Sequence, residues 1–153
     1  MKKFELTNEF VTNSYGSKLF RIKALITLPS VKAGELGGYI EKEGNLSQYG
    51  NAWIYGNAWV SDDARVSDDA RVSGNALVCG NEDYAYAHGF GSRNRTTTFF
   101  RLRDGGVGVR CGCFYGTLAQ FRDKVRETHK ETKKAQEYLM LADLMEFRFK
   151  KTF

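Results

Sequence analysis

Apolar residues in the middle of the chain recur at a fixed interval of six. Ala52, Ala58, Ala64, Ala70 and Ala76 hold one register, and Ile54, Val60, Val66, Val72 and Val78 hold a second, two residues later. Asn or Asp holds a third, at Asn45, Asn51, Asn57, Asp63, Asp69, Asn75 and Asn81. The unit reads aliphatic, Ser or Tyr, Gly or Asp, Asn or Asp, Ala, then any residue. An α-helix repeats about every 3.6 residues and a flat strand about every two, so neither carries this pattern. A coil with three flat sides does, each side a short strand ending in a tight turn. The aliphatic residue fills the interior, Ala fits where the interior narrows, and Gly, Asn and Asp supply the corners. Stacked coils share parallel-sheet hydrogen bonds, so no coil is stable alone. Seven units over residues 40–81 give a little over two coils, with Ile40 and Leu46 extending the Ala register backwards.

Two open ends of so short a stack need cover, and the flanks can supply it. Leu19–Ile26 reads as a strand before Pro29 that caps the first coil, and Phe4–Val11 as a further short strand. After the repeat, Thr96–Arg103 is rich in β-formers, Asp104-Gly105-Gly106 is a hairpin turn signal, and Val107–Phe114 reads as the return strand. Thr117-Leu118-Ala119-Gln120 is a capping box that opens a helix carrying Leu118, Phe121 and Val125 at helical spacing. Ala135, Tyr138, Leu139, Ala142, Met145 and Phe149 mark a second amphipathic helix, and Leu141 and Leu144 widen its apolar face. The expected organisation is mainly β: capping strands over 1–33, a solenoid over 34–92, and a basic β-hairpin with two helices over 93–153.

Composition narrows the class. A 42% apolar fraction in 153 residues supports a core and excludes wholesale disorder. No run approaches the roughly 20 apolar residues of a membrane span, so no membrane partner is expected. Met1-Lys2-Lys3-Phe4-Glu5 lacks the apolar block of a signal peptide, and three cysteines form no disulfide framework, so a cytoplasmic home is expected. The net charge of +5 is segregated: +4 over 1–33, −6 over 34–92 and +7 over 93–153. A bipolar molecule of this kind can self-associate or take an anionic partner at its basic end.

The units Ile54-Tyr55-Gly56-Asn57-Ala58-Trp59, Val60-Ser61-Asp62-Asp63-Ala64-Arg65 and Val66-Ser67-Asp68-Asp69-Ala70-Arg71 resemble the hexapeptide repeat of left-handed β-helix proteins. The run Val31–Ile40, followed by Asn45-Leu46 and Ala52-Trp53-Ile54, is similar to phage and prophage members labelled hexapeptide-transferase-like. The resemblance implies a short left-handed parallel β-helix and a homo-oligomer, a dimer or trimer. It also raises acyl-coenzyme A chemistry, which in the family relies on a histidine general base. His88 is the only candidate for that role; the long loop that usually interrupts such repeats is absent here, and two coils offer little groove for a pantetheine arm. No catalytic constellation, phosphate loop or dinucleotide fingerprint is visible, and no cofactor is expected.

Three groups of residues carry candidate chemistry. Strand alternation places Arg93, Arg95, Thr97, Phe99, Arg101 and Arg103 on one face, with Arg110 on the partner strand. Arginines around an aromatic side chain can hold phosphate bidentately and stack a base. Residues 18 apart lie on one face of successive coils, so Trp53 falls near Arg71, Trp59 near Leu77, Tyr49 near Ser67 and Tyr55 near Ser73. Tyr49, Trp53, Tyr55 and Trp59 then form an outer aromatic surface, to be covered by residues 4–28 or by another subunit. Cys111, Cys113 and His129 are a weak metal set, because one residue between the cysteines and no fourth ligand do not suit structural zinc. His129 ends a helix, where a cation is favoured.

The reading that follows is a non-catalytic binding protein of phage type, an accessory or counter-defence factor taking a host protein or a small nucleotide-like anion. An acyltransferase and a self-assembling structural solenoid are the alternatives. Nucleic acid is disfavoured as a partner, because the acidic middle repels a long polyanion.

Overall fold

Gly50, Gly56, Asp62, Asp68 and Gly74, spaced six apart, all have left-handed backbone, with φ of 75°, 63°, 54°, 60° and 64°. These are the corners that the repeat requires, and Gly and Asp are among the residues that reach this conformation at least cost. They were located in a computed structural model that describes residues 2–93 and 95–150. Between the corners, Ala52, Ala58, Ala64, Ala70 and Ala76 are buried, as are Ile54, Val60, Val66, Val72 and Val78.

The short strands β3 (Leu36–Ile40), β4 (Trp53–Ile54), β5 (Trp59–Val60), β6 (Arg71–Val72) and β7 (Leu77–Val78) pair in parallel across coils. Trp53 pairs with Arg71 and Trp59 with Leu77, both 18 residues apart, as three sides of six require. The first coil departs from this spacing. Ile40 pairs with Val60 and Leu46 bridges Val66, both 20 residues apart. Ile40 and Leu46 therefore belong to the aliphatic register and not to the Ala register expected for them. Two extra residues between Leu46 and Trp53 shift the phase. Tyr49 lies in that stretch and is 83% exposed.

The strands before the repeat form a hairpin, β1 (Phe4–Thr12) with β2 (Lys18–Ala24). β2 pairs antiparallel with β3, so one sheet runs β1-β2-β3-β5-β7. Phe4, Ile22 and Ala24 join the buried cluster inside the repeat. Lys3 is buried beside them, and its Nζ donates to the Ala52 carbonyl at 2.9 Å.

A strand that the repeat pattern concealed follows. β8 (Tyr84–Phe90) does not continue the parallel stack but runs antiparallel to β9 (Arg95–Arg101). The physical reason lies at Gly80, next in the corner register, whose φ of −159° is extended. Without a left-handed corner the chain leaves the stack through a 3-10 turn over Asn81–Asp83, where Asp83 N–H donates to the Gly80 carbonyl at 3.0 Å, and enters β8. The expected return strand over Val107–Phe114 is interrupted at Gly112, where φ is 59°, giving β10 (Val107–Cys111) and β11 (Phe114–Thr117). The second sheet runs β11-β10-β9-β8.

Both faces of β9 are covered. Phe100 enters the buried cluster of the repeat, and Phe99 enters a second cluster under the helices. Those helices are α1 (Leu118–His129) and α2 (Lys133–Phe149). Thr117 caps α1 reciprocally with Gln120, as the sequence predicts. On α2, Ala135, Tyr138, Ala142, Met145 and Phe149 are buried, while Met140, Leu144 and Phe147 face outward. The protein is thus mainly β with two helices, and among the described residues no helix is long and apolar enough to cross a membrane.

Candidate functional site

The outer aromatics do not form an open surface. Trp53 is 1% exposed. Arg110 lies over the Tyr55 ring at 4.7 Å, and Arg103 over the Trp59 ring at 4.5 Å. These arginines come from the antiparallel sheet and its hairpin, so the cover over Tyr55 and Trp59 is intramolecular and C-terminal. Of the four aromatics proposed as a protein interface, only Tyr49 stands in solvent.

The predicted arginine face divides into separate environments. Arg101 Nε donates to Asp83 at 3.0 Å, and its guanidinium also meets the Phe149 ring and carbonyl. Arg103 donates to the Asn57 carbonyl. Arg110 donates to Ser73 Oγ at 3.3 Å and to the Gly112 carbonyl at 3.2 Å. Phe99 is fully buried under the helices and offers no face to a ligand. Arg101, Arg103 and Arg110 therefore hold the sheet to its neighbours, and Phe99 is core.

Arg93 and Arg95 are placed differently. They line a cleft of about 530 Å³ between the repeat and the antiparallel sheet. One wall comes from the repeat face: Asn51, Tyr55, Asp69 and Arg71. The loop Leu28, Pro29 and Ser30 closes one side, and His88, Thr96, Gly112 and Cys113 complete the other. Arg71 sits there because its backbone N–H donates to Thr98 Oγ1 at 2.9 Å, which docks β6 against β9. Gly112 is favoured by its φ of 59°, and a Cβ there would push the Arg95 guanidinium out of its present position. Among the described residues, none of Arg71, Arg93 and Arg95 has a carboxylate within salt-bridge distance, and Asp69 is the single acidic residue in the lining. The cleft is therefore a basic concavity with three arginines whose guanidinium forks suit phosphate or carboxylate.

His88 lies in the same cleft, exposed, with Nδ1 2.7 Å from Thr96 Oγ1. Among the described residues its ring pairs with that hydroxyl and with no carboxylate. The orienting acid that commonly raises a catalytic imidazole's basicity is not part of this arrangement.

A second cavity of about 310 Å³ lies under α1. Phe114, Phe121, Val125 and Tyr138 give it an aromatic and aliphatic lining, and Thr128, His129 and Lys124 also line it. Cys111 and Cys113 line it too, so the three weak metal candidates do converge on one cavity. Among the described residues no group of three or more His, Cys, Asp or Glu side chains has metal-holding geometry. Cys111 Sγ instead meets Thr97 Oγ1 at 3.3 Å and the Tyr138 hydroxyl at 3.7 Å. Burial, followed by the neighbouring Cys111 thiol, pushes the Tyr138 phenol up, so it stays protonated.

Asn51, Arg71, Thr96 and the Leu28–Ser30 loop were absent from the sequence-based site. Arg71 was within reach of the 18-residue rule, which places it beside Trp53. The loop was not, because its position depends on how β2 meets β3.

The parallel pairing and corner geometry define a repeat-built β structure, and comparison with known families agrees. A family model described as the YdcK beta solenoid repeat matches residues 64–80. The matched segment begins at Ala64 and holds the corners Asp68 and Gly74, so this part of the chain carries a β-solenoid repeat similar to that family's. No curated protein matches the chain.

Proposed function

We propose that the protein is a non-catalytic binding protein that takes a small, phosphate-bearing, nucleotide-like anion in the arginine cleft. The observation that carries this reading is the cleft itself, with Arg71, Arg93 and Arg95 lining it and no carboxylate paired to any of them among the described residues. Arginines with no carboxylate partner leave their guanidinium forks open to an anion from solution. In this reading the repeat winds left-handed, β1 and β2 cover its first coil, and β9 plugs its last through Phe100. The resemblance to phage proteins supports an accessory or counter-defence role in a host cytoplasm.

Isothermal titration with inorganic pyrophosphate and with ADP tests the reading. Binding of both is expected, weakened about tenfold or more in Arg93→Ala and in Arg95→Ala. No heat from either compound removes it.

An acyltransferase is the second reading, favoured by the position of His88 in the cleft. It requires thiol release from acetyl-coenzyme A that stops in His88→Ala. A protein partner, or a second copy of the chain, is favoured by the exposed Met140, Leu144 and Phe147 on α2. Light scattering of the protein and of Leu144→Glu tests the second copy. A particle mass that falls to one chain in the variant supports it, and one chain in both eliminates it.

A further inference from the structure

The arginine cleft and the aromatic cavity share three lining residues, Arg93, Arg95 and Cys113. The two arginines thus stand between two chambers of different character. On one side the lining is mixed, with Asn51 and Ser30 beside Leu28 and Tyr55. On the other it is aromatic, with Phe114 and Tyr138.

We infer that the ligand is bipartite: a dinucleotide-class molecule whose phosphate linker lies on Arg93 and Arg95 while one nucleoside enters each chamber. This rests on the arginine cleft being the binding site and goes beyond it to the ligand's architecture. Charge placement argues for the linker. A phosphate at the end of a ligand needs a basic group at the end of its pocket, whereas a basic pair on a common wall suits charge in the middle. Size agrees. Each chamber, at about 530 and 310 Å³, falls in the range of small-ligand pockets. The aromatic chamber supplies stacking surface for a base, and Thr128 and His129 supply polar atoms to meet its edges. The mixed chamber supplies amide and hydroxyl groups for a second sugar and base.

The test is calorimetric, with three probes that share one linker: inorganic pyrophosphate, ADP and diadenosine pyrophosphate. Affinity is expected to rise about tenfold at each added nucleoside, from base stacking in the aromatic chamber and from hydrogen bonds in the other. Thr128→Trp fills the aromatic chamber from its exposed rim, and Ser30→Trp obstructs the mixed one. Each is expected to return diadenosine pyrophosphate to the affinity of ADP while pyrophosphate still binds. Both positions are exposed, so neither variant disturbs the core, and Phe114→Ala gives an independent loss in the aromatic chamber. Equal affinity of ADP and diadenosine pyrophosphate in the unaltered protein overturns the two-chamber inference and leaves the anion site standing. Loss of pyrophosphate binding in both tryptophan variants also overturns it, because the linker would then not lie on the shared wall. Failure of all three probes overturns the anion site as well.

Discussion

Arg103 lies over the indole of Trp59, its guanidinium carbon 4.5 Å from the ring centroid, and donates to the carbonyl of Asn57. One side chain beyond the end of β9 therefore both covers an outward aromatic and fastens the antiparallel sheet to the repeat. Arg103→Ala is expected to lower stability by about 2 kcal/mol, the low end of the sum of a part-exposed cation–π contact and one charged hydrogen bond. Urea unfolding followed by tryptophan fluorescence reads it. An unchanged midpoint would mean that the contact does not persist in solution.

The corner register makes a paired prediction. Asp62 holds φ of 54° without glycine's freedom, whereas Gly56 holds 63° with it. Gly56→Ala meets nothing closer than Gly74 N at 3.7 Å, so its cost is conformational, about 1–2 kcal/mol. Asp62→Gly relieves the same strain and is expected to be neutral or stabilising by up to about 1 kcal/mol. Thermal unfolding of the two variants should move in opposite directions or leave Asp62→Gly unmoved. Destabilisation by Asp62→Gly comparable to that of Gly56→Ala would contradict a left-handed corner at residue 62.

Gly38 and Gly44 differ in what surrounds them. A Cβ at Gly38 would sit 2.6 Å from the Ala58 carbonyl oxygen and from Ile54 Cγ2, while nothing lies within 4 Å of one at Gly44. Gly38→Ala is expected to cost about 1–3 kcal/mol by forcing the first coil off the second. Gly44→Ala should change stability by less than about 0.5 kcal/mol. Chemical denaturation of both separates close coil stacking from loss of glycine as such.

Lys3 links stability to pH. Its buried ammonium is desolvated, which lowers its pKa from the ordinary 10.5 to about 8. Between those values the unfolded chain holds the proton and the folded chain releases it. Stability from this group therefore rises with pH from about 8 to about 10.5, and below 8 the buried charge is a cost. Relative to Lys3→Met, the unaltered protein should gain on the order of 2 kcal/mol between pH 7 and pH 10. Parallel pH profiles for the two would mean that the amine is solvated.

The repeat, its interior residues and its corners were legible in the sequence, because each coil makes the same local demand every six residues. Sequence spacing alone sets those contacts, so Trp53 beside Arg71 and Trp59 beside Leu77 follow from counting. Counting failed where the phase changed. Nothing in the pattern marks the two extra residues before Trp53, and Ile40 and Leu46 fit either register by size. Strand β8 was concealed because Gly80 looks like another corner, and only its extended backbone shows that the left-handed corner is replaced by a 3-10 turn out of the stack. The arginines show most clearly what tertiary structure decided. On an isolated strand Arg93, Arg95, Arg101 and Arg103 are equivalent by alternation. Packing one side of that strand on the repeat and the other on two helices gave Arg101 and Arg103 protein partners and left Arg93 and Arg95 at the mouth of a cleft. That division depends on contacts between segments far apart in the chain, which no local pattern encodes.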